Sequence, residues 1–355
     1  MIRKTQSHSA LYQNKPWANN ENNIWLASTI SLLRNIDKYP FPRKLEGNKR
    51  GQIISLVSRP ILQSSHLNKP FMIKSEDASP VEKEYLVEHF LSSSSFQQAH
   101  SGEAFILDHS GKFLTTINVD NHINFELIDC EGELETAWNK MIKIETSLGQ
   151  AVNYAFSRKF GFLTSHPVQC GTGFILTVYL QPSALIHLDL LEEKLVKMKT
   201  DGIQITGLQG NPNEVIGDIL AIKNNYTLGL TEENIISTLR LFVTKLMVEE
   251  NNARAHLRAA PEPHLMDKVS RAYAILAHSY QMETIETLNA LSLLKLGSAL
   301  EWLSGVTPHE LNRLFFDCRR AHLLARFNEE IPKEEIAHRR AKFIHETLKK
   351  VKLKI

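Results

Sequence analysis

The stretch that most constrains this chain runs from Gly161 to Gly173 and reads Gly-Phe-Leu-Thr-Ser-His-Pro-Val-Gln-Cys-Gly-Thr-Gly. The apolar, partly β-branched run Phe174–Leu180 follows at once. Glycines permit positive φ and close approach of the backbone to a ligand, so such a loop could cup an anion. It lacks the lysine of a phosphate-binding P-loop and does not clearly open a helix. A turn feeding a strand is the plainer reading.

The flanks place this loop in a sheet. Ala104–Asp108, Phe113–Asn118 and Ile123–Ile128 read as an antiparallel meander with one covered face. Leu134, Trp138, Met141, Ile144, Leu148, Val152 and Ala155 have helical spacing. That spacing predicts one long helix over 134–159, covering the sheet and ending on a glycine cap at Gly161. Upstream, residues 1–20 read as a loosely held polar arm. Ile24–Leu33 is a short apolar segment, and Pro40-Phe41-Pro42 forces an extended turn. A helix is expected within 43–65 and another over 81–91, started by Pro80. Residues 66–83 read as loop-rich, and Ser92–Ser95 as a loop.

Downstream, 185–198 reads as a helix, and 203–205 and 219–222 as strands joined by a second glycine-rich connection, Gly207–Asn213. Thr231, Glu232 and Glu233 open a helix running to about Ala260, the acids favouring its dipole. After Pro261 and Pro263 strand signals vanish. Helices are expected near 264–280, 283–304, 308–326 and 332–352. Thr307-Pro308-His309-Glu310 is a strong start signal. The last helix is basic, and a solvated face explains this better than a partner surface. The expected organisation is an arm (1–20), a sheet domain (21–260) and a helical C-terminal domain (261–355).

A chain of 355 residues is long enough for two cores. A net charge of +2 draws it to neither nucleic acid nor membrane, and aromatic residues do not alternate with lysines as in an RNA-binding module. Cys130, Cys170 and Cys318 form no CxxC unit, which fits a reducing compartment. With no secretory h-region and no bilayer-length apolar run, a cytoplasmic location is expected.

In this order the pieces resemble the ATP:guanido phosphotransferase family, and within it the bacterial protein arginine kinases of the McsB type. The anchors are Ile24–Asn35 with Pro40-Phe41-Pro42, Asn118 with His122, and Gly161–Ser165 with Pro167 and Gly171-Thr172-Gly173. Gly207, Gly210, Glu214, Gly217, Asn224, Thr227–Glu233, Arg271-Ala272-Tyr273 and Leu296-Gly297 continue the match. The resemblance implies an α+β fold. A phosphagen-kinase-like domain, a large antiparallel sheet flanked by helices, is followed by an all-helical C-terminal domain.

The resemblance also implies where chemistry should lie. Family arginines clamp the ATP phosphates and the transferring phosphoryl group, where developing charge needs fixed positive partners. Their positions here hold Thr29, Ser31, Asn124, Ile175 and Thr206. None of these carries charge. Arg34 matches a position that looks structural in the family. Asp120 matches a catalytic carboxylate, shortened by one methylene, and Val119 and Asn121 replace its acidic neighbours. Asn211 replaces a second catalytic carboxylate, and His166 a cysteine that contacts the guanidinium. A phosphoarginine-sensing pocket would use Asp317 and Arg320, although Phe316 replaces its first arginine; local pairing of these two residues is the plainer reading.

Asp120, His122, His166 and Cys170 could converge on a borderline metal, or be hydrogen-bonded remnants of a cleft; no metal is expected. Three functions remain. The first is an inactive homologue, a pseudo-kinase acting as scaffold or regulator. It would need no cofactor, and its implied partners are a second copy, a zinc-containing kinase-activator protein or a Clp chaperone or protease. The second is an active protein arginine kinase, using ATP and Mg, with a rebuilt site. The third is a binding protein for a different ligand in the old cleft.

Overall fold

The computed structural model describes residues 12–354 apart from 13, 16, 18–19, 21, 93–96 and 328–330. Most of the expected loop at Ser92–Ser95 and of the N-terminal arm therefore lies outside the described residues. Eight strands form one sheet: β1 (Trp25–Arg34), β2 (Phe71–Lys74), β3 (Ala104–Leu107), β4 (Phe113–Ile117), β5 (Ile123–Asp129), β8 (Phe174–Leu180), β9 (Ile203–Gly207) and β10 (Leu220–Asn224). Their order is β2-β3-β4-β5-β1-β8-β10-β9. Two short strands, β6 (Phe156–Ser157) and β7 (Gly161–Phe162), pair separately. The chain divides into two compact units. One is built mainly from Ser28–Thr177 and Lys223–Thr238, the other from Trp17–Ala27, Val178–Ile222 and Leu239–Ile355.

In the first unit the meander forms, but both its faces are buried where one covered face was expected. β3 pairs with β4 and β4 with β5, both antiparallel, and β5 continues onto β1 with Ser31 opposite Glu126. β2 adds antiparallel to β3, inside the segment read as loop, because Phe71–Lys74 is too short to show a period. Helix α1 (Gly47–Leu62) packs on α3 (Leu134–Gly149), which buries Leu134, Trp138, Met141, Ile144 and Leu148. The Trp138 and Phe174 rings meet at 4.7 Å. Each such buried side chain contributes about 1.5–3 kcal/mol. Between them in the chain, α2 (Pro80–Phe90) starts at a capping box of Ser79 and Glu82, with Pro80 at its first position.

The long helix predicted over 134–159 stops at Gly149. Tyr154 donates its hydroxyl to the Glu145 carbonyl at 2.9 Å, and Ala155 donates its backbone N–H to Asn35 O at 2.7 Å. Val152 keeps helical spacing in the turn that ends the helix, its N–H still bonded to Leu148 O at 3.1 Å, and Ala155 lies outside any helix; Gly161 pairs with Ser157 in the β6–β7 hairpin and caps no helix.

In the second unit the helix predicted over 185–198 is two, α4 (Ser183–His187) and α5 (Leu191–Lys197), broken where Asp189 takes φ 58°. Helix α6 (Glu232–Ala259) starts in the first unit and continues here, followed by α7 (Pro263–His278), α8 (Thr284–Ala299), α9 (Pro308–Asp317), α10 (Arg320–Arg326) and α11 (Ile336–Leu348). The predicted 308–326 helix divides at Cys318–Arg319. Buried Arg340 takes the freed Cys318 carbonyl at 2.7 Å and Met282 O at 2.6 Å. The C-terminal region is helical but not purely so: Leu303–Ser304 pairs antiparallel with Lys352–Leu353.

The described end of the arm is held. Trp17 is fully buried and stacks on Phe316 at 3.8 Å, and Asn312 donates to Asn20 O at 2.8 Å. Polar groups are also buried in this unit. Glu250 accepts from Ala184 N, Leu185 N and Arg254 Nε, and Lys295 donates to Gln181 Oε1 at 2.9 Å. Among the described residues no helix is long and apolar enough to cross a membrane.

Thr307 and Glu310 form a reciprocal capping box at the start of α9. Thr307→Ala should therefore lower stability by about 1 kcal/mol in urea denaturation.

Candidate active site

The residues carried by the resemblance in the first unit are organised by one buried amide. Asn35, just past β1, donates Nδ2 to Asn121 Oδ1 at 2.8 Å and to Leu163 O at 3.0 Å. Its Oδ1 accepts from His122 N at 2.9 Å. Asn121 Oδ1 also accepts from Ser165 N at 2.8 Å, and Ser165 Oγ donates to Asp120 O at 2.5 Å. The β4–β5 turn, the glycine loop and the end of β1 are thereby joined. At the other side of the turn, Asn118 takes φ 61° and donates Nδ2 to Arg50 O and Gly102 O. Asp120 is thus presented by a turn held through its neighbours.

His122 completes the clasp. Its Nδ1 accepts from Ile36 N at 3.0 Å, so the proton sits on Nε2, which donates to Pro40 O at 2.9 Å. Burial pulls its pKa down to about 4. Both ring nitrogens are occupied, so His122 has none for a metal. His166 is exposed beside the 3₁₀ turn Pro167–Gln169, and Cys170 Sγ lies 3.5 Å from Thr164 N. Among the described residues no group of three or more His, Cys, Asp or Glu could hold a metal ion.

The glycines of the loop serve backbone packing. Phe162 and Gly171 exchange backbone hydrogen bonds, and Thr227 Oγ1 donates to Cys170 O at 2.6 Å. A Cβ on Gly171 would lie 2.6 Å from Thr227 O, and one on Gly161 2.6 Å from Gly171 O. Arg34 braces the same region. Its guanidinium donates to Glu145 Oε1, Leu33 O and Thr172 O within 2.9 Å, and lies 3.5 Å over the Phe162 ring. Arg50 is likewise committed, donating to Pro42 O at 2.8 Å and pairing with Glu103 at 3.4 Å.

Of the five phosphate positions, the structure brings Thr29, Ser31 and Asn124 onto one face of the β1–β5 pair, by the alternation of partners in the ladder. Thr29 spends its hydroxyl on Phe90 O at 3.0 Å. Asn124 donates Nδ2 to Glu126 Oε1 at 2.8 Å, and Ser92 donates to Glu126 Oε2. Burial pushes the Glu126 carboxyl up to about 7, with the Ser92 and Asn124 bonds opposing. Ile175 is half-buried on β8.

The remaining candidates lie in the second unit. Thr206 is buried on β9 and donates to Gly207 O at 3.1 Å. Asn211 is exposed and shapes its own turn, accepting from Gly207 N through its carbonyl and from Asn213 N through Oδ1. Asp317 is buried and pairs with Arg313 at 3.2 Å, while half-buried Arg320 opens α10.

The family model for the ATP:guanido phosphotransferase C-terminal catalytic domain matches residues 53–253, and that for the protein-arginine kinase McsB C-terminal domain matches 262–354. The chain belongs to the ATP:guanido phosphotransferase family. Within that family, the protein-arginine kinase of Chlamydia pneumoniae is 32% identical over 337 residues, 92% of each chain. That of Halothermothrix orenii is 29% identical over 344 residues, 97% of each. Solved structures agree in fold. Lombricine kinase matches with a TM-score of 0.56 at 17% identity, over 69% of this chain and 71% of its own. The duplicated taurocyamine kinase of Schistosoma mansoni matches at 0.59 and 21%, over 74% and 39%.

Sequence reasoning missed Asn35 and Glu126. Asn35 ends an apolar run, and Glu126 sits at an alternating position that reads as solvent-facing, so neither announces its burial.

Gly171→Ala should cost about 2–4 kcal/mol, read as a lower midpoint in urea, since the contacted atom is backbone. A second expectation concerns pH. The unfolded chain protonates His122 near 6.5 and the folded one only near 4, so its contribution is lost as pH falls through that window. Glu126 has the opposite sign. The folded state keeps its proton up to about 7 and the unfolded chain releases it near 4.5, so stability falls as pH rises. Each contributes up to about 3 kcal/mol. The two offset between about 4.5 and 6.5. Denaturation across that window should show stability falling with pH in His122→Gln and rising with pH in Glu126→Gln.

Proposed function

We propose that this chain is a protein-arginine kinase homologue that has lost ordinary phosphoryl transfer and works as a protein-interaction or regulatory subunit. The observation that carries this is the β1–β5 face. In the family, by the resemblance above, arginines on it meet the ATP phosphates. Here Thr29, Ser31 and Asn124 stand there with the buried carboxyl of Glu126, opposite Ser31 on the same face. A triphosphate brings roughly four negative charges and needs several fixed donors. The residues present do not fit that group. Arg34 and Arg50 already serve carbonyls and carboxylates of the fold.

What the remaining residues do is structural. Asn35, Asn121 and His122 hold the Asp120 turn, and Gly161 and Gly171 hold the loop at the guanidinium side. The frame for positioning a guanidinium persists, while Asn211 offers no second carboxylate. By the same resemblance the proposed partners are a second copy of this chain, a zinc-containing kinase-activator protein, or a Clp chaperone or protease. A role for Asp317 and Arg320 toward phosphoarginine is part of the same proposal, as is a cytoplasmic location.

The relatives favour a second reading. Chains named protein-arginine kinase match this one nearly end to end at about 30% identity, so an active kinase with a rebuilt phosphate site, using ATP and Mg, stands beside the first. The deciding experiment is an assay for ATP-dependent phosphoarginine formation on protein and on free arginine, with and without a candidate activator. No turnover and no nucleotide heat in calorimetry are expected. Turnover abolished by Asp120→Asn would establish the second reading.

A further inference from the structure

The face that lost its arginines has gained acceptors. Ser31 and Glu126 are opposed across β1 and β5, and Asn124 lies two residues from Glu126 on the same face. Glu126 is 5% exposed. Each of its oxygens receives one neutral donor, Asn124 Nδ2 or the Ser92 hydroxyl, which leaves further lone pairs on both. With Nδ2 turned to Glu126, Asn124 Oδ1 is buried and has no hydrogen-bond partner among the described residues. Buried acceptors of this kind are rare in native proteins and call for a donor. Among the described residues, the hydrogen-bond and ladder neighbours of Glu126 are Ser92, Asn124, Ser31 and, on β4, Leu114, none of them charged. Ser31 and Asn124 remain partly open to solvent.

We propose that Ser31, Asn124 and Glu126 form a binding site for an organic cation with N–H donors, a guanidinium or primary ammonium group, where relatives hold phosphate. This deepens the reading that the phosphate clamp is gone and rests on it. A polyphosphate would set oxygens against Glu126 and Asn124 Oδ1. A guanidinium or ammonium instead supplies a donor to the orphaned amide oxygen and a positive charge that favours the ionised form of Glu126, giving the stronger class of hydrogen bond. Ser31 adds a hydroxyl at the rim. These residues are separate from Asp120 and the glycine loop, so the site does not depend on the family's guanidinium-side chemistry.

The test is calorimetry on the full chain. The probes are L-arginine and agmatine as free cations, a blocked Gly-Arg-Gly peptide as a side-chain source, and L-citrulline as the neutral isostere. Saturable binding of at least one cationic probe is expected, with L-citrulline weaker by about tenfold or more. Preference for the peptide would identify a protein segment as the source, and preference for agmatine or arginine a small molecule. Glu126→Gln, which keeps shape and removes charge, should weaken binding by about tenfold or more. Ser31→Arg, at a partly exposed position, should fill the site internally and abolish binding while the thermal transition stays cooperative. Absence of saturable cation binding, or equal binding by L-citrulline or by both variants, overturns the proposal. Its failure is distinguishable from that of the proposed function, which is overturned by phosphoarginine formation whatever the cation titrations show.

Discussion

The first unit depends on the Asn35 side chain. One amide meets Asn121 and His122 on one stretch of chain and Leu163 on another, and an unpaired buried amide would cost about 1–3 kcal/mol for each group left bare. Because the partners are obligatory, the β4–β5 turn and the glycine loop are held in one arrangement. His122 reinforces it as a neutral ring with both nitrogens spent on backbone. Arg34 does the same from the other side of the loop, its charge met by Glu145 and by carbonyls. The polar residues most suggestive of chemistry here are therefore supports for a scaffold.

That scaffold and the side chains it presents are separable. Backbone packing sets the glycine loop, through contacts that exclude a side chain at Gly161 and Gly171. The positions that the resemblance assigns to phosphate contacts on β1, β5 and β8 differ from it in side chain alone, and the backbone bonds of the ladder do not depend on side chains. Strand hydrogen bonding is indifferent to whether Ser31 or Asn124 is an arginine, so the fold does not require one there. The same indifference admits an acid at Glu126, opposite Ser31.

Much of the architecture was legible in advance. The β3–β4–β5 meander follows from alternation, α2 and α9 from their Pro and capping signals, and the family from the spacing of glycines and Thr227–Glu233. Other elements misled for physical reasons. Val152 and Ala155 prolonged a helical period past the end of α3, because an apolar residue is needed at a buried turn or loop site as well as on a helix. The interruptions at Asp189 and Cys318 came from a left-handed residue and from Arg340 capturing a carbonyl from 22 positions away, neither of which a local pattern encodes.

By itself the sequence determined the family, the β3–β4–β5 meander, the starts of α2 and α9 and the residue types at the positions the resemblance assigns to phosphate, since these depend on spacing and identity along the chain. Only the tertiary structure decided what those residues meet. It placed Glu126 opposite Ser31, turned Asn124 toward it, and made Asn35 and His122 braces, because burial and partnership are properties of neighbours distant in sequence.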